Sequence, residues 1–235
     1  MRINTENLIW AIAHPIKTLR YMRWRDVIPC DALARHLPEN PVILEAGAAN
    51  GENTLEMAEF WAGARIHAFE PVPGARALLE EKTARFKDRV TIYPCALGDS
   101  PGQFEMNVSG SGDAIETQSS SLLTPTGHHE EYDFVKFGQK IVVDVLRMDD
   151  WAAENGVEQV DLLWLDMQGY ELRALEAGRL LLKTVKAIHI EVHHRELYAG
   201  APLYPDVRSW LANEGFHPVI DATFRVGGNV LFVRP

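Results

Sequence analysis

From residue 41 onward the chain alternates short apolar runs with helical segments, and that alternation limits its fold more than any other feature. Runs at 42–46, 65–69, 90–96, 160–165 and 187–192 read as strands; 54–61, 74–86, 149–155, 170–182 and 206–214 read as helices. Such repeats predict an α/β domain built on a parallel sheet covered on both faces. Extra strands are expected at 102–108 and 139–146, and a terminal hairpin-like pair at 216–220 and 229–233. Between 109 and 131 Ser, Gly and Thr dominate without an apolar period, which predicts a long loop serving as a lid or binding segment. There is no internal repeat. The expectation is one domain over 41–235, preceded by a helical extension over 1–40.

With 235 residues, 46% of them apolar, the chain is long enough to bury a single large core, and disordered or collagen-like classes are excluded. The net charge of −10 argues against nucleic acid as a partner, because phosphate binding needs clustered Lys and Arg. That charge is unevenly placed: Arg2, Lys17, Arg20, Arg23 and Arg25 face only Glu6 within residues 1–25. Trp10, Tyr21 and Trp24 interleave with them, which suits a helix packed on its own domain, or one making a peripheral membrane or protein contact. The longest early apolar run, 8–13, is too short to span a bilayer, and no cleavage-like site follows it. Cys30 and Cys95 form neither a disulfide framework nor a CxxC site, so a cytoplasmic location is expected.

In an open α/β sheet, ligands bind at the carboxyl ends of the strands, so the residues just after each strand are the informative ones. The first strand ends in Glu45-Ala46-Gly47-Ala48-Ala49-Asn50-Gly51, a glycine turn leading into a helix. A dinucleotide site would offer this turn to a pyrophosphate. Glu45 would repel phosphate but suits a ligand carrying ammonium and sulfonium charge, which is S-adenosylmethionine. The second strand ends in Phe69-Glu70-Pro71, where an acid is the expected acceptor for two ribose hydroxyls. Ala96 and Leu97 follow the third strand and suit an adenine face. Trp164-Leu165-Asp166-Met167-Gln168-Gly169-Tyr170-Glu171 puts Asp166 at the ligand edge, and Glu171 in a first helical turn complements the macrodipole. Alternation points Glu191 and His193 to one side and His194 to the other. His128 and His129, adjacent on an irregular loop, lack a common face for a metal.

Taken in order, LEAGAANGENT (44–54), HAFEPVP (67–73), CALGDSPG (95–102), QSSSLL (118–123), VDVLRMDDW (143–151), VDLLWLDMQGYELRALEAG (160–178) and IHIEVHHRELYAG (188–200) resemble the FkbM-type S-adenosylmethionine-dependent methyltransferases. The resemblance covers roughly 42–216 and implies a Rossmann-like class I methyltransferase fold: a seven-stranded, mostly parallel sheet with an antiparallel last strand. It implies O-methylation of a hydroxyl on a sugar, glycoside or polyketide-type natural product. By position, Glu45, Gly47, Ala48 and Gly51 would line the methionine end, Glu70 and Pro71 the ribose, and Ala96 and Leu97 the adenine. Asp166 would sit by the transferring methyl, and Ser120 or Ser121 near the acceptor. The chain departs from the family in having Glu45 where Asp is usual, and Asn50 one position later than the usual Asn.

A hydroxyl acceptor needs a base, and Asp166, His193 and Glu191 are the candidates. Those three could also hold a divalent metal, a variant not favoured because hard-cation sites show denser carboxylates. The rival readings are an NAD-dependent oxidoreductase, which predicts an absent GxGxxG, and a non-catalytic adenosyl-ligand-binding module.

Overall fold

The structure, a computed structural model, describes residues 12, 15, 28–110, 118–132 and 135–235; the basic segment at 1–25 otherwise lies outside the described residues. The described chain opens with α1 (Cys30–Leu33) and a single 3-10 turn. It continues through β1 (Val42–Ala46), α2 (Glu52–Phe60), β2 (Arg65–Phe69), α3 (Pro73–Thr83), β3 (Val90–Tyr93), β4 (Ala96–Leu97), β5 (Gly102–Gly110), α4 (His128–Glu131) and β6 (Lys136–Leu146). The remainder is α5 (Met148–Asn155), β7 (Leu162–Leu165), α6 (Glu171–Ala177), α7 (Arg179–Leu182), β8 (Ala187–His193), α8 (Tyr204–Asn213), β9 (His217–Phe224) and β10 (Gly227–Val233).

Seven strands form the main sheet in the order β3-β2-β1-β7-β8-β10-β9. The first five are mutually parallel, and β10 runs antiparallel to both β8 and β9. This is the mostly parallel sheet with a reversed last strand that the sequence implies. Every residue of β1 and β7 is buried, as expected for strands covered on both faces. Val42, Leu44 and Ala46 pack with α5, α6, α7 and α8, whereas Ile43 packs with α1 and α2. Ile28, Cys30 and Leu33 belong to that second cluster, so the end of the expected N-terminal extension is part of the core. No helix among the described residues is long and apolar enough to cross a membrane.

Several elements differ from the sequence expectation. The predicted third strand, 90–96, stops at Tyr93, and Ala96–Leu97 joins a separate three-stranded sheet with order β4-β6-β5. The sequence marks the members of that small sheet only as extra strands, because β6 is exposed or part-buried up to Val142 and gives no strong apolar run. The predicted helix 170–182 divides at Gly178, where a Cβ would lie 2.5 Å from Met148 Cε. The expected loop 109–131 contains the helical turn α4.

The chain builds β1, β2 and β3 outward on one side and then crosses to place β7 on the other flank of β1. That reversal leaves a crevice at the carboxyl ends of β1 and β7, where such sheets bind ligands.

Candidate active site

The crevice opens into a cavity of about 600 Å³, within the usual range for small-molecule sites. Its floor depends on one glycine. Gly47 has φ +85°, and a Cβ there would lie 1.9 Å from the Asp166 carbonyl oxygen, so only glycine lets the ends of β1 and β7 meet. Backbone bonds tie the end of β1 to both neighbours: Gly47 N and Ala48 N donate to Phe69 O at the end of β2, and Asp166 N, just after β7, donates to Ala46 O.

One half of the cavity is walled by the turn 47–50, by Phe69, Glu70 and Pro71, and by Ala96 and Leu97. Glu70 is 4% exposed, and its carboxylate accepts Ala49 N at 2.8 Å on Oε2 and Val72 N at 2.7 Å on Oε1. Both oxygens are therefore fixed in place with lone pairs left for a diol. Burial pushes this carboxyl up to about 7 despite those bonds.

The other half holds Asp166, Gln168, Glu191 and His193, with Ser120 and His128 opposite. Carboxylate oxygens of Asp166, Glu171 and Glu191 lie within 4.8 Å of one another. Burial raises Asp166; Glu191 is driven well above the ordinary range by burial, then by the charges of Asp166 and Glu171. His193 is lowered to about 4, by burial first and then by His128 and His194, so it is neutral near pH 7. Its Nε2 stands 3.7 Å from Glu191 Oε2.

Three of the residues expected here stand behind the wall. Alternation puts Glu45 on the α1/α2 face with Ile43; it is fully buried, accepts Thr54 Oγ1 at 2.5 Å, and leaves Oε1 without a partner. Its carboxyl is pushed up to about 8 by that burial. Gly51 faces α3, where a Cβ would lie 2.9 Å from Leu79 Cα. Gly51→Ala is therefore expected to cost about 1–3 kcal/mol of stability through overpacking, read as a lower denaturation midpoint, with cofactor affinity of the folded fraction unchanged. Equal losses in midpoint and affinity would put Gly51 in the site itself. Ser121 Oγ donates to the Gln168 carbonyl at 2.9 Å and accepts Leu123 N, whereas Ser120 lines the cavity.

Glu171 carries its carboxylate back over its own turn and accepts Met167 N at 2.7 Å and Gly169 N at 3.2 Å. Sequence reasoning missed Gln168 and Tyr198 as members of the site, and it undervalued His128, which is 2% exposed and lies in the cavity wall.

Among the described lining residues there are four carboxylates, Glu52, Glu70, Asp166 and Glu191, and no Lys or Arg. Such a lining suits a cationic ligand with a ribose, and it would repel a pyrophosphate. S-adenosylmethionine fits these residues: Glu70 for the ribose diol, the carboxylates for its positive charge, and Ala96 with Leu97 for the base.

Comparison with known proteins identifies the family. The 2-O-methyltransferase NoeI of Sinorhizobium fredii is 35% identical over 163 residues, covering 68% of this chain and 67% of its own. The 31-O-demethyl-FK506 methyltransferase FkbM of Streptomyces tacrolimicus is 25% identical over 184 residues, covering 70% of this chain and 71% of its own. Among solved structures, M. capricolum TrmK in complex with S-adenosyl-homocysteine shares the fold, with a TM-score of 0.50 and 5% identity over 87% of this chain and 66% of that one. The methyltransferase FkbM domain matches residues 45–218, and the chain belongs to that family of methyltransferases.

Proposed function

We propose that the protein transfers the methyl group of S-adenosylmethionine to a hydroxyl of a sugar or glycoside, with polyketide-type alcohols as the second acceptor class. The observation that carries this reading is the cation-accepting cavity, without Lys or Arg among its described lining residues and with a neutral histidine in its wall. When bound, the cofactor supplies an electrophilic methyl, and the protein has only to align an acceptor oxygen, exclude water and take a proton. Glu70 holds the ribose, the 47–50 turn and Asp166 the methionine end, and His193 accepts the hydroxyl proton. The imidazolium so formed lies 3.7 Å from Glu191 and favours its ionised form, so that the two charges stabilise each other. On the acceptor side Ser109, Gln118, Ser119, Ser120, His128 and Asn229 give a neutral hydrogen-bonding wall, which suits a polyhydroxylated ring. The names of the two relatives, one a 2-O-methyltransferase, support an oxygen acceptor.

Cofactor binding tests the reading through pH. Glu70 and Glu171 sit at about 7 without ligand, and a cationic ligand favours their ionised forms. Binding must then release protons, and affinity must rise as pH increases toward 7, by about tenfold per unit for each proton released. In the unliganded protein the same raised carboxyls contribute stability that is lost as pH climbs from the ordinary carboxylate range through 7 and, for Glu45, through about 8. Calorimetric titration in buffers of different ionisation enthalpy measures both effects. A product screen over glycosides and macrolide-like alcohols then ranks acceptors. Absence of binding by S-adenosylmethionine and S-adenosylhomocysteine overturns the reading.

A further inference from the structure

Gln168 is the one neutral side chain that touches both Asp166 and Glu191 among the described hydrogen bonds, and nothing in its sequence context marks it. Its Nε2 lies 2.8 Å from Asp166 Oδ1 and 2.5 Å from Glu191 Oε2, so both amide hydrogens are directed at carboxylates. The same Glu191 oxygen faces His193 Nε2 at 3.7 Å. The amide is itself held from behind: Tyr198 Oη donates to Gln168 Oε1 at 2.7 Å, and Ser121 Oγ donates to the Gln168 carbonyl at 2.9 Å.

The backbone at Gln168 is left-handed, with φ +54° in a residue other than glycine. The next residue, Gly169, has φ +98° and no room for a Cβ, which would lie 2.9 Å from Ala201 Cβ. A side chain is kept in such a conformation only where its surroundings over-determine it. Here they turn one amide group into the gap between two acids.

We propose that Gln168 is a positioning residue whose amide fills the place between Asp166 and Glu191 that a cation would otherwise fill, setting Glu191 against His193 for the proton-accepting step. The proposal rests on the function assigned above. Three carboxylates this close repel, and burial with that repulsion raises Glu191; the hydrogen bonds from the amide act the other way and favour the ionised forms of Asp166 and Glu191. A protonated Glu191 would no longer stabilise an imidazolium. The amide supplies two fixed hydrogens without titrating.

The test compares wild type with Gln168→Met, which keeps the shape but loses both donors, and Gln168→Glu, which adds a carboxylate. Wild-type turnover is expected to be the same in EDTA as in Mg²⁺. Gln168→Met is expected to lower kcat about 100-fold with KM for S-adenosylmethionine nearly unchanged, and to move the acid limb of the kcat–pH profile upward. Gln168→Glu is expected to be inactive in EDTA, to regain turnover with Mg²⁺ or Mn²⁺, and to bind Mn²⁺ calorimetrically in unloaded protein where wild type does not. Should Gln168→Met fail to fold, Tyr198→Phe keeps the amide, removes its outer hold, and is expected to shift the same pH limb by a smaller amount.

Wild-type turnover that is lost in EDTA and restored by Mg²⁺ overturns the proposal, as does an unchanged kcat and pH profile in Gln168→Met. If wild type transfers no methyl group, the function assignment fails instead, and the Mn²⁺ titration of Gln168→Glu against wild type still decides the role of the amide.

Discussion

Replacing His193 by alanine is expected to lower kcat by about 10²- to 10⁴-fold, the range for loss of a general base, with cofactor affinity nearly unchanged. His193 is 6% exposed and neutral near pH 7, because burial depresses it to about 4. It can therefore receive a proton, and the partner that would stabilise the charged ring, Glu191, is 3.7 Å away. His193 ends β8 whereas Glu70 follows β2, so truncation is expected to remove a proton acceptor without disturbing Glu70. Steady-state kinetics with the best acceptor, paired with calorimetry for the cofactor, separates the two contributions. A variant that kept full turnover would move the base elsewhere, to Asp166 first.

Gly47→Ala is expected to act on the fold and the site together. The new methyl would lie 1.9 Å from the Asp166 carbonyl oxygen, which is main chain and has no rotamer to change. The left-handed backbone adds about 1–2 kcal/mol, and forcing β1 and β7 apart about 1–3 kcal/mol more. Against a total stability of roughly 5–15 kcal/mol, this consumes a large share. Whatever folds would have the end of β7 displaced, and with it Asp166. The denaturant midpoint and the dissociation constant for S-adenosylmethionine should both worsen, in contrast to Gly51→Ala, where only the first should. A variant with neither effect would mean that the strand ends are less closely apposed in solution.

These two glycines also show what could be read from the residues and what could not. Both belong to a turn that looks ligand-facing in sequence, yet Gly47 makes room for Asp166 and Gly51 for Leu79. Spacing identifies where a Cβ is forbidden and is silent about what forbids it. Glu45 carries the same lesson: a charge near the end of a buried strand points to a ligand, but two-residue alternation aims it at Thr54. Glu70, Asp166, Glu191 and His193 were legible because each closes a strand at the edge where ligands bind. Gln168 was not, since a neutral amide inside a turn breaks no pattern of charge or hydrophobicity. His128 was obscured by the irregular segment around it. The parallel, doubly covered sheet, by contrast, follows from the alternation of buried strands and helices, and the antiparallel β10 is what the family resemblance implies.

The position of β10 has a further consequence for how the protein comes into being. This strand, last in the chain, slots between β8 and β9, both made before it. It brings Gly227, whose missing Cβ would lie 2.9 Å from His193 Cδ2, against the face of the imidazole. A nascent chain that has emerged through β9 therefore holds every acidic residue among the described lining of the cavity, yet His193 lacks the neighbour that packs against its ring. Until β10 inserts, β8 and β9 each present an unpaired edge toward the other, a pairing that would have to be avoided or undone. Insertion of β10 therefore closes the sheet and completes the wall beside His193 in one event.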